Sequence, residues 1–248
     1  MARYKLTLEY DGTPFVGWQV QDSGLSVQEV LETAIKRLCG CSVRAHCAGR
    51  TDAGVHATGQ VAHCDLPKDY PAHQVQNALN YHMKPHPVAV THAEIVSDDF
   101  HARFSAIERR YLYRIIIRTA PLVLERNRAW RINHDLDARA MHDAAQILLG
   151  QHDFSTFRAQ ACQAKSPIKT LDQLDVTQID NQIEFKVRAR SFLHHQVRNI
   201  VGSLKLVGEG KWIKQDLQKA LDACDRRKGG PTVPAKGLYL TAVIYYDE

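Results

Sequence analysis

The chain has 248 residues, of which 44% are hydrophobic, as is typical of a folded protein with one large or two medium domains. No segment approaches the roughly 18 consecutive apolar residues of a membrane span, and the first residues lack the apolar run of a signal peptide. We therefore expect a cytoplasmic protein that does not associate with a membrane. The six cysteines include no Cys-x-x-Cys pair, which disfavours a zinc ribbon or a thioredoxin-type motif.

The formal net charge of +5 is concentrated in the second half of the chain. Residues 1–105 contain 9 Lys and Arg against 11 Asp and Glu, whereas residues 106–248 contain 23 against 16. This asymmetry favours a polyanionic partner, although a solvated surface can carry a surplus of the same size.

In the first half, strands and helices follow one another in a recognisable order. Alternation of apolar with polar residues from Tyr4 to Tyr10 predicts a strand with one buried face. Ser26 and Glu29 form a capping-box pattern at the start of a helix, which Gly40 ends. The elements that follow are predicted as two strands over residues 41–48 and 59–66, a helix over 71–82 and a strand over 87–96.

A polar connector over residues 97–106 precedes a second set of elements in a similar order. The predicted elements are a strand from Glu108, a helix that reaches Leu148 and is closed by Gly150, strands over 170–179 and 182–190 around the turn pair Asp180-Asn181, helices over 197–207 and 214–224, and a closing strand over 238–246. The order β-α-β-β-α-β, found twice, predicts an α+β protein of two ferredoxin-like halves, residues 1–105 and 106–248. We expect these halves to form a broad antiparallel or mixed sheet platform, with helices on one face and an active-site cleft between them.

The segment Ala48–Ala57, AGRTDAGVHA, is the strongest candidate site because it sets a carboxylate, Asp52, in a glycine-rich turn. Asp52 could serve as a nucleophile, a general base or a metal ligand, and Arg50 could help to keep it ionised. An Asx-turn residue is the structural alternative. A metal site that also uses His56, with His46 and His63 nearby, is conceivable, but no metal-ligand spacing such as His-Glu-x-x-His occurs among the 13 histidines.

Three further segments contain candidate binding or site residues. Glu108–Arg114, ERRYLYR, interleaves cations such as Arg110 with aromatic residues, a pattern that fits phosphate contact and base stacking as well as a half-buried strand. Arg198 lies near the start of a predicted helix and, if buried, would need a carboxylate partner, for which Asp52 is a candidate. The loop 163–167, QAKSP, is polar and basic, as phosphate-binding loops and ordinary loops both are.

Six motifs in order resemble the tRNA pseudouridine synthase I (TruA-type) family. They are GRTDAGVHA (49–57), FHARFSA (100–106), RRYLYRI (109–115), HDFSTFR (152–158), FLHHQVRNIVGSL (192–204) and GLYLTAV (237–243). Together they span nearly the whole chain, and one departure is Gln196, where methionine is common in the family.

The resemblance implies an obligate homodimer that isomerises uridine to pseudouridine at positions 38, 39 and 40 in the anticodon arm of tRNA, without a metal or an organic cofactor. By the same resemblance, Asp52 is the catalytic aspartate, Tyr111 stacks in the uridine pocket, Arg198 pairs with the aspartate and Arg50 helps to extrude the target base. Leu240 is a candidate to pack beneath the uracil. The tRNA-contacting segments correspond to Phe100, His101, Arg103 and the 163–167 loop, which includes Gln163, Lys165 and Ser166.

The implied reaction requires the target base to leave its stack and to be held while a carboxylate acts. That carboxylate could attack the sugar C1′ or the uracil C6, or it could remove a sugar proton, and the sequence leaves these roles open. Two other classes of function remain as alternatives. One is a non-catalytic RNA-binding module, and the other is a metal-dependent nuclease or hydrolase that uses Asp52 and His56.

Overall fold

The computed structural model describes residues 1–246, which form two compact units. The first unit contains Met1–Ile107 and the chain from Tyr239 onward, and the second contains Glu108–Leu238. Sequence reasoning divided the chain at residues 105 and 106 and placed the closing strand in the second half, whereas its contacts group it with the first unit. Among residues 1–246, no helix is both long and apolar enough to cross a membrane.

The first unit has the predicted β-α-β-β-α-β order. Its elements are β1 (Ala2–Tyr10), α1 (Val27–Cys39), β2 (His46–Cys47), β3 (His56–Leu66), α2 (Ala72–Met83) and β4 (Val88–Val96). β1 lies between β4 and β3 and pairs with both in antiparallel fashion, and β2 pairs with β3 in the same sense. The last strand, β10 (Leu238–Ile244), pairs with the start of β3 in parallel, so the protein is α+β with mixed strand pairing, as predicted.

Local sequence explains why α1 begins and ends where it does. The Ser26 side chain accepts a hydrogen bond from the Glu29 amide at the N-terminus, as the capping-box pattern predicted. Gly40 adopts a left-handed conformation with φ of 78° and donates its N–H to the Lys36 carbonyl at the C-terminus. The apolar stripe that includes Leu31 and Ile35 is buried, and the helix contacts α2 of the same unit.

The strand predicted over residues 41–48 is wrong for most of its length, because β2 contains only His46 and Cys47. The amide of Ala45 donates to the Glu32 carboxylate at 3.0 Å, and the Ala45 carbonyl accepts from the Gln28 side chain at 3.0 Å. Side chains of α1 therefore use both backbone groups of Ala45, which a sheet would otherwise pair with a neighbouring strand.

The second unit has more strands than the sequence predicted. Its elements are β5 (Glu108–Ile117), β6 (Trp130–Ile132), α3 (Ala138–Ala145), β7 (Gly150–Asp153), β8 (Ile168–Ile179), β9 (Gln182–Ala189), α4 (Gln196–Gly208) and α5 (Lys214–Asp222). Within this unit the strand order is β5-β9-β8-β7, with antiparallel neighbours, and β6 adds to β5 in parallel. The hairpin around Asp180, predicted from the turn pair, is confirmed.

Two features of this unit differ from the prediction. Strands β6 and β7 were missed, and α3 ends at Ala145 rather than continuing to Gly150. A short 3₁₀ turn, Gln146–Leu148, follows the helix, and the Gln146 side chain donates to the Leu174 carbonyl of β8. This side-chain contact ties the end of the helix to the sheet, and Gly150 then opens β7 instead of capping α3.

Candidate active site

The Asp52 loop joins β2 to β3 and belongs entirely to the first unit. The two strands approach as an antiparallel pair, His46 opposite His63, so the loop is the tip of a hairpin as predicted. The Val55 amide donates to the Asp52 carbonyl at 3.1 Å and closes the turn. Asp52 itself is half-buried, which leaves part of its carboxylate within reach of a ligand.

A second segment, between β1 and α1, supports this loop from its own unit. The Trp18 amide donates to the Thr51 carbonyl at 3.0 Å, and Gly17 forms an isolated antiparallel bridge with Asp52. Gly17 has φ of 116°, and a Cβ at this position would lie 2.7 Å from the Thr51 carbonyl oxygen. The backbone of the loop therefore rests directly against Gly17, where only glycine fits without displacement.

Sequence reasoning missed this supporting segment, although a signal was present. Gly12, Gly17 and Trp18 occur in a stretch whose glycines are spaced too irregularly for a strand or a helix, and Trp18 is fully buried. A Cβ on Gly12 would overlap the Val55 carbonyl oxygen. Glycines beside a large buried aromatic residue indicate a loop that packs closely on another backbone.

Buried polar side chains fix the remaining backbone of the loop. The Tyr10 hydroxyl is 2.8 Å from the Thr51 hydroxyl, and the Gln60 side chain donates to the Gly49 carbonyl at 2.8 Å. His56 is buried, accepts a hydrogen bond from the Gly12 amide at its Nδ1 and stacks on Tyr239 at 4.7 Å. These contacts give His56 a structural role in the support of the loop.

The other predicted site residues of the first unit differ in exposure. Arg50 is exposed, two residues before Asp52, whereas Leu240 is fully buried on β10 opposite Ala57. Phe100 is only 6% exposed and packs against Tyr245 at 4.9 Å, so it belongs to the core. The side chains of His101 and Arg103 are half-buried and exposed, respectively.

Three histidines of this unit form a cluster, in which His101 joins His46 and His63, the two that the sequence suggested near the candidate site. The His63 ring lies 5.1 Å from the His46 ring and 4.6 Å from the His101 ring. Burial, with the adjacent positive potential of His101 and Arg3, lowers the pKa of His63 to about 4. Burial also lowers the pKa of His101. The His63 ring is consequently neutral near pH 7, and its Nδ1 accepts a hydrogen bond from the Ala102 amide at 3.1 Å.

In the second unit, Tyr111 lies half-buried on β5 with its ring edge against the ring of Phe192 at 5.0 Å. The neighbouring Arg110 is exposed, and its Nε lies 2.6 Å from the Glu108 carboxylate. The same carboxylate lies 3.3 Å from Arg188. Part of the positive charge along this strand is therefore compensated locally.

Arg198 lies in the first turn of α4, where the backbone is closely held. Its Nε donates to the Val233 carbonyl at 2.8 Å, and the Val233 amide donates to the Arg198 carbonyl at 3.5 Å. At the residue after Val233, the hydroxyl of the buried Tyr113 donates to the Pro234 carbonyl. Burial raises the pKa of Tyr113, and the positive charge of Arg198 partly opposes the rise. These contacts restrict Arg198 to a narrow set of conformations.

Gln196, where the sequence departs from the family pattern, caps the loop before α4. Its side-chain oxygen accepts from the Leu193 amide at 2.8 Å. The departure from methionine thus leaves a polar contact at the entrance of the helix that carries Arg198.

The 163–167 loop presents Gln163, Lys165 and Ser166 to solvent. Arg158 gives the loop its shape, because its guanidinium donates to the carbonyls of Cys162 at 2.7 Å and Ala164 at 2.8 Å. The sequence identified the loop but not the arginine that organises it. The second unit as a whole carries 23 Lys and Arg against 14 Asp and Glu, so the basic surplus predicted for the second half lies there.

Comparison with known proteins identifies the family. A family model described as tRNA pseudouridine synthase matches residues 7–105 and 144–246. A tRNA pseudouridine synthase A from Paramagnetospirillum magneticum is 66% identical over 99% of this chain and 96% of its own length. Those from Beijerinckia indica and Rhodospirillum centenum are each 60% identical, over 100% and 99% of this chain and 95% and 100% of their own lengths.

The protein is therefore an enzyme of the isomerase class, as predicted. More particularly, the chain belongs to the tRNA pseudouridine synthase family, which confirms the resemblance of its six motifs. Among solved structures, a chain of a Cbf5-Nop10-Gar1 complex matches 82% of this chain and 44% of its own length, with a TM-score of 0.39 and 11% sequence identity.

Proposed function

We propose that the protein isomerises uridine to pseudouridine at positions 38, 39 and 40 of the tRNA anticodon stem-loop, with Asp52 as the catalytic nucleophile or base. Family membership and relatives named tRNA pseudouridine synthase A support tRNA pseudouridylation as the reaction. The particular positions follow from the resemblance of the six motifs.

The observation that carries the proposal is the half-buried Asp52 on a loop whose backbone is held on both sides. Its loop is held by the Trp18 to Thr51 hydrogen bond, by the bridge to Gly17 and by the Asp52 to Val55 turn. A catalytic group must stay within a fraction of an ångström of its reactive position, and an error of about 1 Å can cost on the order of a hundredfold in rate. A loop supported in this way meets that requirement.

The chemistry also needs such a group. The N1–C1′ glycosidic bond breaks, the uracil turns, and a C5–C1′ bond forms, while C5 loses a proton to solvent and N1 gains one. Asp52 supplies the carboxylate, whether it attacks C1′ or C6 or removes a sugar proton. In this proposal Arg198 keeps Asp52 ionised and oriented, and the half-exposed ring of Tyr111 stacks on the base, a contact typically worth about 1–3 kcal/mol.

Several cationic and polar side chains are candidates to bind the RNA. Arg50 is exposed beside Asp52 and suits the task of displacing the target base. His101, Arg103, Arg110 and the 163–167 loop are proposed to contact the tRNA backbone. The reaction draws on no metal or organic cofactor in this proposal. The homodimer and the cytoplasmic location stay predictions from the family resemblance and from the sequence.

The test compares Asp52→Asn with Asp22→Asn, a matched control in the same unit that removes one carboxylate from an exposed surface turn. With tRNA labelled by tritium at uridine C5, wild type and the control should release tritium at equal rates. Asp52→Asn should release none above background while it retains its affinity for tRNA. Appreciable turnover by Asp52→Asn would contradict the assignment of Asp52 as the catalytic nucleophile or base.

The same experiment separates the other classes of function. A non-catalytic RNA-binding module would release no tritium in any variant. A metal-dependent nuclease would lose activity in chelator and would cleave the tRNA. Mapping pseudouridine in the treated tRNA then decides which of the three positions are modified.

A further inference from the structure

Phe104 is an exposed aromatic residue in the connector that precedes β5, and the proposed function gives it no role. Its side chain is 72% exposed. One face of the ring leans on the His101 ring, with centroids 4.4 Å apart and planes inclined by 39°. The guanidinium of Arg103 lies 5.6 Å from the Phe104 ring centroid. A large apolar ring in water, supported by another ring and flanked by a cation, is typical of surfaces that stack on nucleobases.

The backbone of this segment is rigid, which favours such a role. His101 Nδ1 accepts hydrogen bonds from the amides of Arg103 at 3.1 Å and Phe104 at 3.4 Å. The Ser105 amide donates to the His101 carbonyl, and the Ser105 hydroxyl accepts from the His101 amide, each at 2.9 Å. These bonds hold the backbone of the connector at Phe104, so less backbone entropy is lost when a base stacks on the ring.

The connector also lies on the same surface as the base of the Asp52 hairpin. Burial raises the pKa of Cys47, on β2, to about 12, and the positive charges of Arg50 and Arg103 both oppose the rise. The exposed His46, adjacent to Cys47, stands 5.8 Å from the His101 ring. The connector that carries Phe104 therefore lies beside β2, the strand that leads into the Asp52 loop.

We propose that Phe104 stacks on an unpaired nucleobase of the RNA substrate while Arg103 binds the adjacent phosphate. This inference rests on the proposed function and adds an RNA-binding residue to it. The family resemblance implied that Phe100 contacts the RNA, but Phe100 is buried. Phe104 is the phenylalanine of the same motif that faces solvent, so we assign the RNA contact to Phe104 instead.

The test measures binding of unmodified tRNA to Phe104→Ala, Phe104→Leu and Phe104→Trp. Tyr81→Ala is the matched control, because Tyr81 is 70% exposed on α2 of the same unit. Phe104→Ala and Phe104→Leu should weaken binding roughly five- to a hundredfold, the range of one lost stacking contact. Phe104→Trp should keep wild-type affinity and add a fluorescence signal that tRNA quenches, and the control should bind as wild type.

Salt dependence distinguishes the two side chains. Phe104→Ala should leave the slope of log K against log salt unchanged, whereas Arg103→Ala should reduce it by roughly one phosphate contact. Wild-type affinity in Phe104→Ala, full affinity in Phe104→Leu, or an unquenched Phe104→Trp would each overturn the inference. Failure of the proposed function is a separate observation, namely no tritium release by wild-type protein.

Discussion

Replacement of Gly17 by alanine tests whether the segment before α1 holds the Asp52 loop in its reactive position. The new Cβ would lie 2.7 Å from the Thr51 carbonyl oxygen and 3.2 Å from the carbonyl carbon of Asp52. Ordinary contacts begin at 3.4 Å, so the Thr51–Asp52 backbone must move by roughly half an ångström or more. Since about 1 Å of misplacement can cost on the order of a hundredfold in rate, we expect kcat to fall about tenfold or more.

Gly40→Ala is the control for the backbone strain alone. Gly17 and Gly40 both have positive φ, 116° and 78°, but a Cβ on Gly40 would meet no atom within 4 Å. Each substitution should destabilise the protein by roughly 1–2 kcal/mol through its backbone conformation. Gly17→Ala should lose about a further 1–3 kcal/mol through overpacking. For a chain of this size, 1 kcal/mol corresponds to a shift in Tm of about 2–4 °C.

The assay is tritium release at saturating tRNA, at a temperature at which both variants are fully folded by circular dichroism. Gly40→Ala should retain wild-type kcat despite its lower Tm, whereas Gly17→Ala should have both a lower kcat and a lower Tm. Wild-type kcat in folded Gly17→Ala would refute the argument that this segment positions Asp52. An equal loss of kcat in both variants would show that the effect comes from general destabilisation.

Two further predictions concern stability. The folded pKa of His63 is about 4 against 6.5 in the unfolded chain, so the unfolded state binds more protons between these values and stability should fall as pH drops from about 6.5 to 4. The free energy of unfolding, measured by urea denaturation, should fall by at most about 3 kcal/mol over this range. In His63→Gln the free energy of unfolding should depend less on pH. The same pH dependence in His63→Gln as in wild type would contradict the assignment of the effect to His63. In Gly202→Ala the new Cβ would overlap the Pro231 carbonyl oxygen, so the free energy of unfolding should fall by about 3 kcal/mol or more. Gly210→Ala is the control, because its Cβ would meet no atom within 4 Å. By the same urea denaturation, this variant should stay within about 2 kcal/mol of wild type.

Elements with strong local patterns could be predicted from the sequence. The alternation in β1, the cap and stripe of α1 and the turn pair between β8 and β9 each reflect contacts between near neighbours in the chain. β6 has three residues, too few for a period to show, and β7 has the polar sequence GQHD with no apolar face. These strands exist because of the neighbour they pair with, which a local pattern does not contain.

The site divides in the same way. Asp52, Arg50 and Tyr111 could be proposed as site residues because their motifs are contiguous in the sequence. The support of Asp52 by Gly17 and Trp18 was not found, because it joins segments more than 30 residues apart through backbone hydrogen bonds. Phenylalanines 100 and 104 lie four residues apart in an irregular segment, where no periodicity distinguishes a core residue from an exposed one.

The position of β10 explains why the first unit is not a contiguous piece of chain. Tyr239 pairs with His56 at the start of β3, immediately after the Asp52 loop. At the other end of the strand, the Ile244 carbonyl accepts from the Ile107 amide and the Tyr245 hydroxyl donates to the Ala102 carbonyl. Residues 239–245 thus contact both the strand that follows the candidate catalytic loop and the connector that carries Phe104. Because β10 follows the second unit in the chain, the support that it gives to the candidate loop joins segments that are far apart in sequence.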